Sequence, residues 1–149
     1  DHDRPLSARG IAACREIAAL LRQRYGAPLA YVLASDARRT AETAEELARA
    51  GAITEAATTH EPALYLASAG ALLHRIHHAE PTQDSLLVIA HNPGIEQLAR
   101  LLAKSQPSPS PLARGVGPGT LTTFTASIAQ WDALTPERTR FHAVDMPEG

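Results

Sequence analysis

Apolar positions along the chain follow two rhythms, and the alternation between them predicts the architecture. From Ser7 to Tyr25, residues Ile11, Cys14, Ile17, Ala18 and Leu21 recur at three- and four-residue spacing, with Arg15, Arg22 and Gln23 between them. That spacing gathers the apolar side chains on one face of a helix. Ser7 suits the N-cap, and Gly26 followed by Pro28 stops the helix. Leu29-Ala-Tyr-Val-Leu-Ala34 is instead a short continuous apolar run, the mark of a buried strand. Ser35-Asp36, both good N-caps, open a second helix expected to reach Ala50 before Gly51. Ile53 to His60 alternates and is Thr-rich, which predicts a strand, and Ser68 to Ala79 predicts a helix. Ser85-Leu-Leu-Val-Ile-Ala90 is the clearest strand. A helix to Lys104 follows it, with Asn92 as N-cap and Pro93 at the first helical position, where a missing N–H costs nothing. Leu121 to Ser127 and Thr139 to Val144 predict two last strands, antiparallel or at a sheet edge.

Strands alternating with helices argue an α/β fold, a three-layer sandwich with a mostly parallel central sheet flanked by helices. The 149 residues suit one domain, 1–149, and no internal repeat interrupts it. Gln106 to Gly119, rich in Pro, Ser and Gly, is too short for a domain linker and reads as a surface loop over a site.

Composition narrows the function classes. Only 4% of residues are aromatic, so Leu, Ile, Val and Ala must fill the interior. A net charge of −2 with no basic stripe argues against nucleic acid as a partner, while leaving room for a local anion site. The single cysteine, Cys14, excludes an intramolecular disulfide and fits a reducing, cytoplasmic compartment. No apolar run approaches the roughly 20 residues that span a bilayer, so no membrane partner is expected. His74, His77 and His78 form an H-x-x-H-H pattern on a predicted helix, but no third-ligand motif accompanies it, and a solvated helix face is the expectation. Cys14 reads as core and Trp131 as an anchor of C-terminal packing. No metal and no cofactor are expected.

The candidate chemistry sits where the two buried strands turn into helices. Ligands of open α/β sheets collect beyond the carboxyl ends of strands, where helix N-termini offer free N–H groups and a positive dipole end. One corner carries Ser35, with Arg38 and Arg39 in the first helical turn; the other carries His91 before Asn92-Pro93-Gly94. Two arginines there oppose the helix dipole, which a bound anion would offset, and a guanidinium fork matches phosphate oxygens. A histidine at the neighbouring strand end could donate to the same oxygens. Against this stand plainer readings: solvated arginines on an exposed helix, and a packed or surface histidine.

The motifs decide between them by resemblance. Asp3-Arg4-Pro5-Leu6-Ser7-Ala8-Arg9-Gly10, Ser35-Asp36-Ala37-Arg38-Arg39-Thr40-Ala41-Glu42-Thr43, Leu64-Tyr65 with Leu72-Leu73, and Val88-Ile89-Ala90-His91-Asn92-Pro93-Gly94 follow in order over nearly the whole chain. Together they resemble the SixA-type phosphohistidine phosphatases of the histidine phosphatase superfamily, whose fold is phosphoglycerate mutase-like. The resemblance implies Arg39 as the phosphate-contacting arginine, with Arg38 on a variable position, and His91 as the second histidine of the family's pair. Ser35 and Asn92 would add hydrogen bonds to the phosphate, and Glu61 is the candidate general acid.

The family's Arg-His-Gly or Arg-His-Ala tripeptide, whose histidine attacks phosphorus, has no counterpart here. The sequence begins at Asp1 rather than Met, and the expectation is a chain lacking its N-terminal strand and an Arg-His motif that would lie just upstream. The implied activity of the complete protein is hydrolysis of phosphohistidine or a small phosphomonoester through a phosphohistidine enzyme intermediate, in a bacterial, monomeric or weakly dimeric enzyme. Its partner would be a phosphorylated protein domain or a small phosphate ester. The alternatives are a catalytically inactive phospho-ligand binding module of the same fold and a mutase-like phosphotransferase.

Overall fold

The computed structural model describes residues 1–106, 112–113 and 115–147. Pro107 to Pro111 and Arg114, within the predicted Gln106–Gly119 loop, lie outside the described residues. The chain divides into two compact units: Asp1–Tyr65 with Ser85–Ala90 and Pro147, and Leu66–Asp84 with His91–Met146.

In the first unit, α1 (Ala8–Tyr25) begins where predicted, because the Ser7 hydroxyl accepts the Gly10 N–H. It ends where Gly26 enters the left-handed region at φ 71° and donates its N–H to the Arg22 carbonyl. Only a residue without Cβ makes that turn cheaply. Its buried face is Ala13, Cys14, Ile17, Ala18 and Leu21; of the periodic set read from the sequence, Ile11 is only half-buried, and Ala13 joins in its place. β1 (Val32–Ser35) is the centre of a three-stranded parallel sheet, between β2 (Thr58–Glu61) and β3 (Leu87–Ile89). All four β1 residues are buried, while β3 is half-buried along its length. Each fully buried Leu or Val there contributes about 1.5–3 kcal/mol. α2 (Arg38–Arg49) packs against α1 and β1 and buries Thr40, Ala44 and Leu47.

Two boundaries differ from expectation for physical reasons. The apolar run from Leu29 makes only an isolated parallel bridge, to Ile53, before β1 proper starts at Val32. The predicted Ile53–His60 strand breaks at Ala56, which sits at φ 63°, and the ladder resumes as β2 at Thr58.

In the second unit, Ser68 caps α3 (Ala69–His77), and α4 (Gly94–Leu102) follows Pro93. β4 (Leu121–Ala126) and β5 (Thr139–Asp145), expected as antiparallel or edge strands, pair antiparallel in a two-stranded sheet of their own, with an irregularity between Thr123 and Phe124. Phe124 and Phe141 meet edge to face at 5.7 Å and, with Val144, pack on buried Ala99, Ala103, Leu112 and Val116. Trp131 donates from its indole nitrogen to the Gln83 carbonyl at 2.9 Å, tying a 3-10 turn (Trp131–Ala133) to the segment after α3. Among the described residues, no helix is long and apolar enough to cross a membrane. The architecture is a mixed α/β fold whose parallel sheet is flanked by helices.

Candidate functional site

The first corner is the turn from β1 into α2. Ser35 still belongs to the β1 ladder, paired with Glu61 of β2, so neither it nor Asp36 caps the helix. The N-cap is Ala37, which has no side-chain bond to offer. Ser35 is fully buried; its hydroxyl accepts the Ala37 N–H at 3.3 Å and donates to Thr40 Oγ1 at 3.0 Å. Thr40 Oγ1 donates in turn toward the Ser35 and Ala37 carbonyls, at 2.9 and 2.8 Å. The His60 ring adds a donor to the Ser35 carbonyl at 3.2 Å. The Ala37 N–H and the Ser35 and Ala37 carbonyls thus find hydroxyl partners inside the turn.

This geometry delivers two arginines in the first turn of α2, with no acidic residue there to balance them. They find different partners. Arg38, 56% exposed, runs along its own helix to Glu42 at 3.0 Å. Arg39, 35% exposed, reaches instead to the Asp1 carboxylate, also at 3.0 Å. The segment before α1 lies across this corner: Arg38 N–H donates to the His2 carbonyl, and Leu6 N–H donates to Glu42 at 2.7 Å. His2 donates from Nε2 to Asp36 at 2.8 Å and meets the Tyr65 ring edge-on at 4.9 Å. The bond to Asp36, followed by that to Asp3, raises the His2 pKa above its usual range. The Leu6 N–H, with help from Arg38, holds the Glu42 carboxyl below its own.

The second corner, after β3, is built differently. The Asn92 side chain does not cap α4; its amide nitrogen donates to the Val116 carbonyl at 2.7 Å, across 24 residues of sequence. Glu96 accepts the Val116 N–H at 2.6 Å and stands 3.6 Å from Arg100. Val116 is therefore clasped on both backbone groups, which fixes the described end of the Gly/Pro loop to the start of α4. Gly94 is required sterically: a Cβ there would lie 1.9 Å from the Ala67 carbonyl oxygen. His91 is half-buried, and its carbonyl accepts the Ile95 N–H at 2.9 Å.

Of the residues singled out from the sequence, Arg39, Ser35 and Glu61 belong to the first unit, and His91 and Asn92 to the second. Ser35 and Glu61 are register partners at the carboxyl ends of β1 and β2, with Arg39 in the turn that follows β1. The Ser35 hydroxyl, assigned to phosphate in the sequence reading, is enclosed in the turn and shapes it. Asp1, His2, Arg4 and Glu96 were not singled out; Arg4 alone carried a signal, through the Asp-Arg-Pro-Leu motif. His77 and His78 bond to backbone carbonyls, of Leu134 and His74. Among the described residues, no three His, Cys, Asp or Glu side chains gather to hold a metal.

The class follows from the fold: a parallel α/β sheet with its candidate residues at the carboxyl ends of the strands. The particular likeness is to the histidine phosphatases. Residues 1–65 match the family model of the histidine phosphatase superfamily, branch 1. A protein assigned as the SixA phosphohistidine phosphatase of Nakamurella multipartitia has a similar structure, with TM-score 0.83 and 22% identity, over 100% of this chain and 88% of that one. Another, assigned as SixA of Agrobacterium tumefaciens, gives TM-score 0.73 at 24% identity, over 99% and 86% of the two chains. A third, the protein histidine phosphatase SixA complexed with tungstate, gives 0.74 at 20%, over 97% and 85%. At these identities the likeness shows a shared fold. No curated protein sequence matches the chain.

Proposed function

We propose that the protein is a phosphohistidine phosphatase, hydrolysing phosphohistidine on a partner protein through a phosphohistidine enzyme intermediate. The observation that carries this reading is the first corner, where Arg38 is neutralised along its own helix and Arg39 is turned to a carboxylate brought from elsewhere in the chain. An arginine aimed at an anion, at the carboxyl end of a central parallel strand, is the arrangement that phosphoryl binding requires. β1 and β3 run parallel with Ala34 opposite Ile89, so these two strands of the first unit end at one edge. In this reading Arg39 holds the phosphoryl oxygens, and the role of His91 in holding them is taken from the family resemblance. Tungstate, the ligand of one structural neighbour, is a tetrahedral oxyanion like phosphate, which supports an oxyanion site on this fold.

The attacking imidazole is the one that the family resemblance puts ahead of Asp3-Arg4-Pro5-Leu6. It forms the new N–P bond as the substrate nitrogen departs, and water then cleaves the intermediate. Positioning and charge stabilisation do most of the work in such a transfer. Glu61, at the end of β2 beside Ser35, is the proposed proton donor to the leaving group. Ser35 contributes by shaping the turn, and Asn92, the residue after His91, by holding the Val116 carbonyl.

The test is phosphate release from a phosphohistidine protein by the full-length protein and its Arg39→Ala variant. A loss of about 100-fold or more in kcat/KM is expected. Undiminished turnover would remove Arg39 from the site and the reading with it.

A further inference from the structure

We propose that Arg4 is a second anion-binding residue beside Arg39, and that the Asp1 carboxylate between them is a resident counter-ion which the substrate's phosphoryl group displaces. This rests on the function proposed above and adds a residue to its site. Asp1 Oδ2 lies 3.0 Å from Arg39 Nη2, and Asp1 Oδ1 lies 3.6 Å from Arg4 Nη1. Each carboxylate oxygen thus faces a different guanidinium, and the two cations face a single anion.

The placement of Arg4 does not depend on that ion pair. Arg4 N–H donates to the Asp1 carbonyl at 3.1 Å, closing a turn. On either side of Arg4, the His2 carbonyl accepts the Arg38 N–H and the Leu6 N–H reaches Glu42, so backbone groups fasten the segment to α2. Removing the carboxylate leaves these bonds in place. Arg38 is held by Glu42 and stands outside the pair.

Charge favours the exchange. Two guanidinium groups carry two positive charges against one on the carboxylate, whereas a phosphoryl group carries about −1.5 to −2 near neutral pH. The Asp1, Arg4 and Arg39 side chains are 55%, 69% and 35% exposed, so water screens the resident pairs and holds them weakly. A phosphoryl group offers three oxygens to the same two forks and gains more from charge-assisted bonds.

The experiment is calorimetric titration of the full-length protein with inorganic phosphate, and separately with tungstate, in wild type, Arg39→Ala, Arg4→Ala, Arg4→Lys and Asp1→Asn, each checked for an unchanged melting curve. Arg39→Ala should abolish saturable binding. Arg4→Ala should weaken it roughly tenfold, with Arg4→Lys between, because it keeps the charge and loses the fork. Asp1→Asn should tighten binding about threefold. If Arg39→Ala loses binding while the Arg4 and Asp1 variants match wild type, the second arginine is overturned and the proposed function stands. Weaker binding in Asp1→Asn overturns the counter-ion. Wild-type affinity in Arg39→Ala, or no saturable binding in wild type, overturns both.

Discussion

The two strand-to-helix corners solve the same local problem by different means. At the β1–α2 corner, side-chain chemistry holds the turn: a buried Ser35–Thr40 hydroxyl network inside, and ion pairs from Arg38, Arg39 and His2 outside. At the β3–α4 corner, close backbone approach does most of the holding, with Gly94 against the Ala67 carbonyl and Val116 clasped by Asn92 and Glu96. The first corner should therefore respond to pH and to the loss of polar atoms. The second should respond to added volume.

The largest expected effect sharpens that contrast. Gly94→Ala places a Cβ 1.9 Å from a carbonyl oxygen that belongs to backbone and cannot swing aside. It should cost about 3 kcal/mol, on the order of 10 °C in Tm for a chain of this size. A melting temperature within about 2 °C of wild type, by calorimetry, would break the steric account. Next comes Thr40→Val, nearly isosteric, which takes one hydrogen bond from the buried Ser35 hydroxyl and one from each of two carbonyls. A loss of about 2 kcal/mol in urea denaturation is expected, and a neutral result would mean that the hydroxyl network does not hold the first corner.

The smallest effect is the pH response of His2. Its folded pKa is raised above the ordinary 6.5, chiefly by Asp36, so its contribution is full below that value and fades as pH rises through the folded pKa. Glu42 works in the opposite sense, its pKa lowered from 4.5, so its contribution fades only as pH falls below that value. Stability owed to this corner is thus greatest between the two ordinary values. In His2→Gln the decline on the alkaline side should flatten in Tm measured across pH. An unchanged slope would assign the decline to some other group.

How far the sequence reveals all this depends on the range of the interactions. α1 was legible with its caps, because Ser7 and Gly26 act within a few residues of themselves, and α3 was legible as a helix. β4 and β5 were legible as strands from local alternation, whereas their pairing as a separate two-stranded sheet was not among the expectations. The caps expected of Ser35 and Asn92 failed because each side chain had another partner. Ser35 turned inward to Thr40, and Asn92 reached 24 residues on to Val116. Gly94 illustrates the same limit: Asn-Pro-Gly reads locally as a helix start, while the reason for its glycine lies at Ala67. Arg39 was separable from Arg38 only through the family motif; the physical cause is the Asp1 carboxylate, 38 positions away.

Cys14 sits on the α1 face turned toward α2, hydrogen-bonded to Thr43, and burial pushes its thiol pKa up. Shielded and protonated, it is a poor nucleophile in the closed state. As the lone sulfhydryl of the chain, it gives the helix pair a built-in clock: the rate at which a disulfide reagent modifies it measures how often that seam opens.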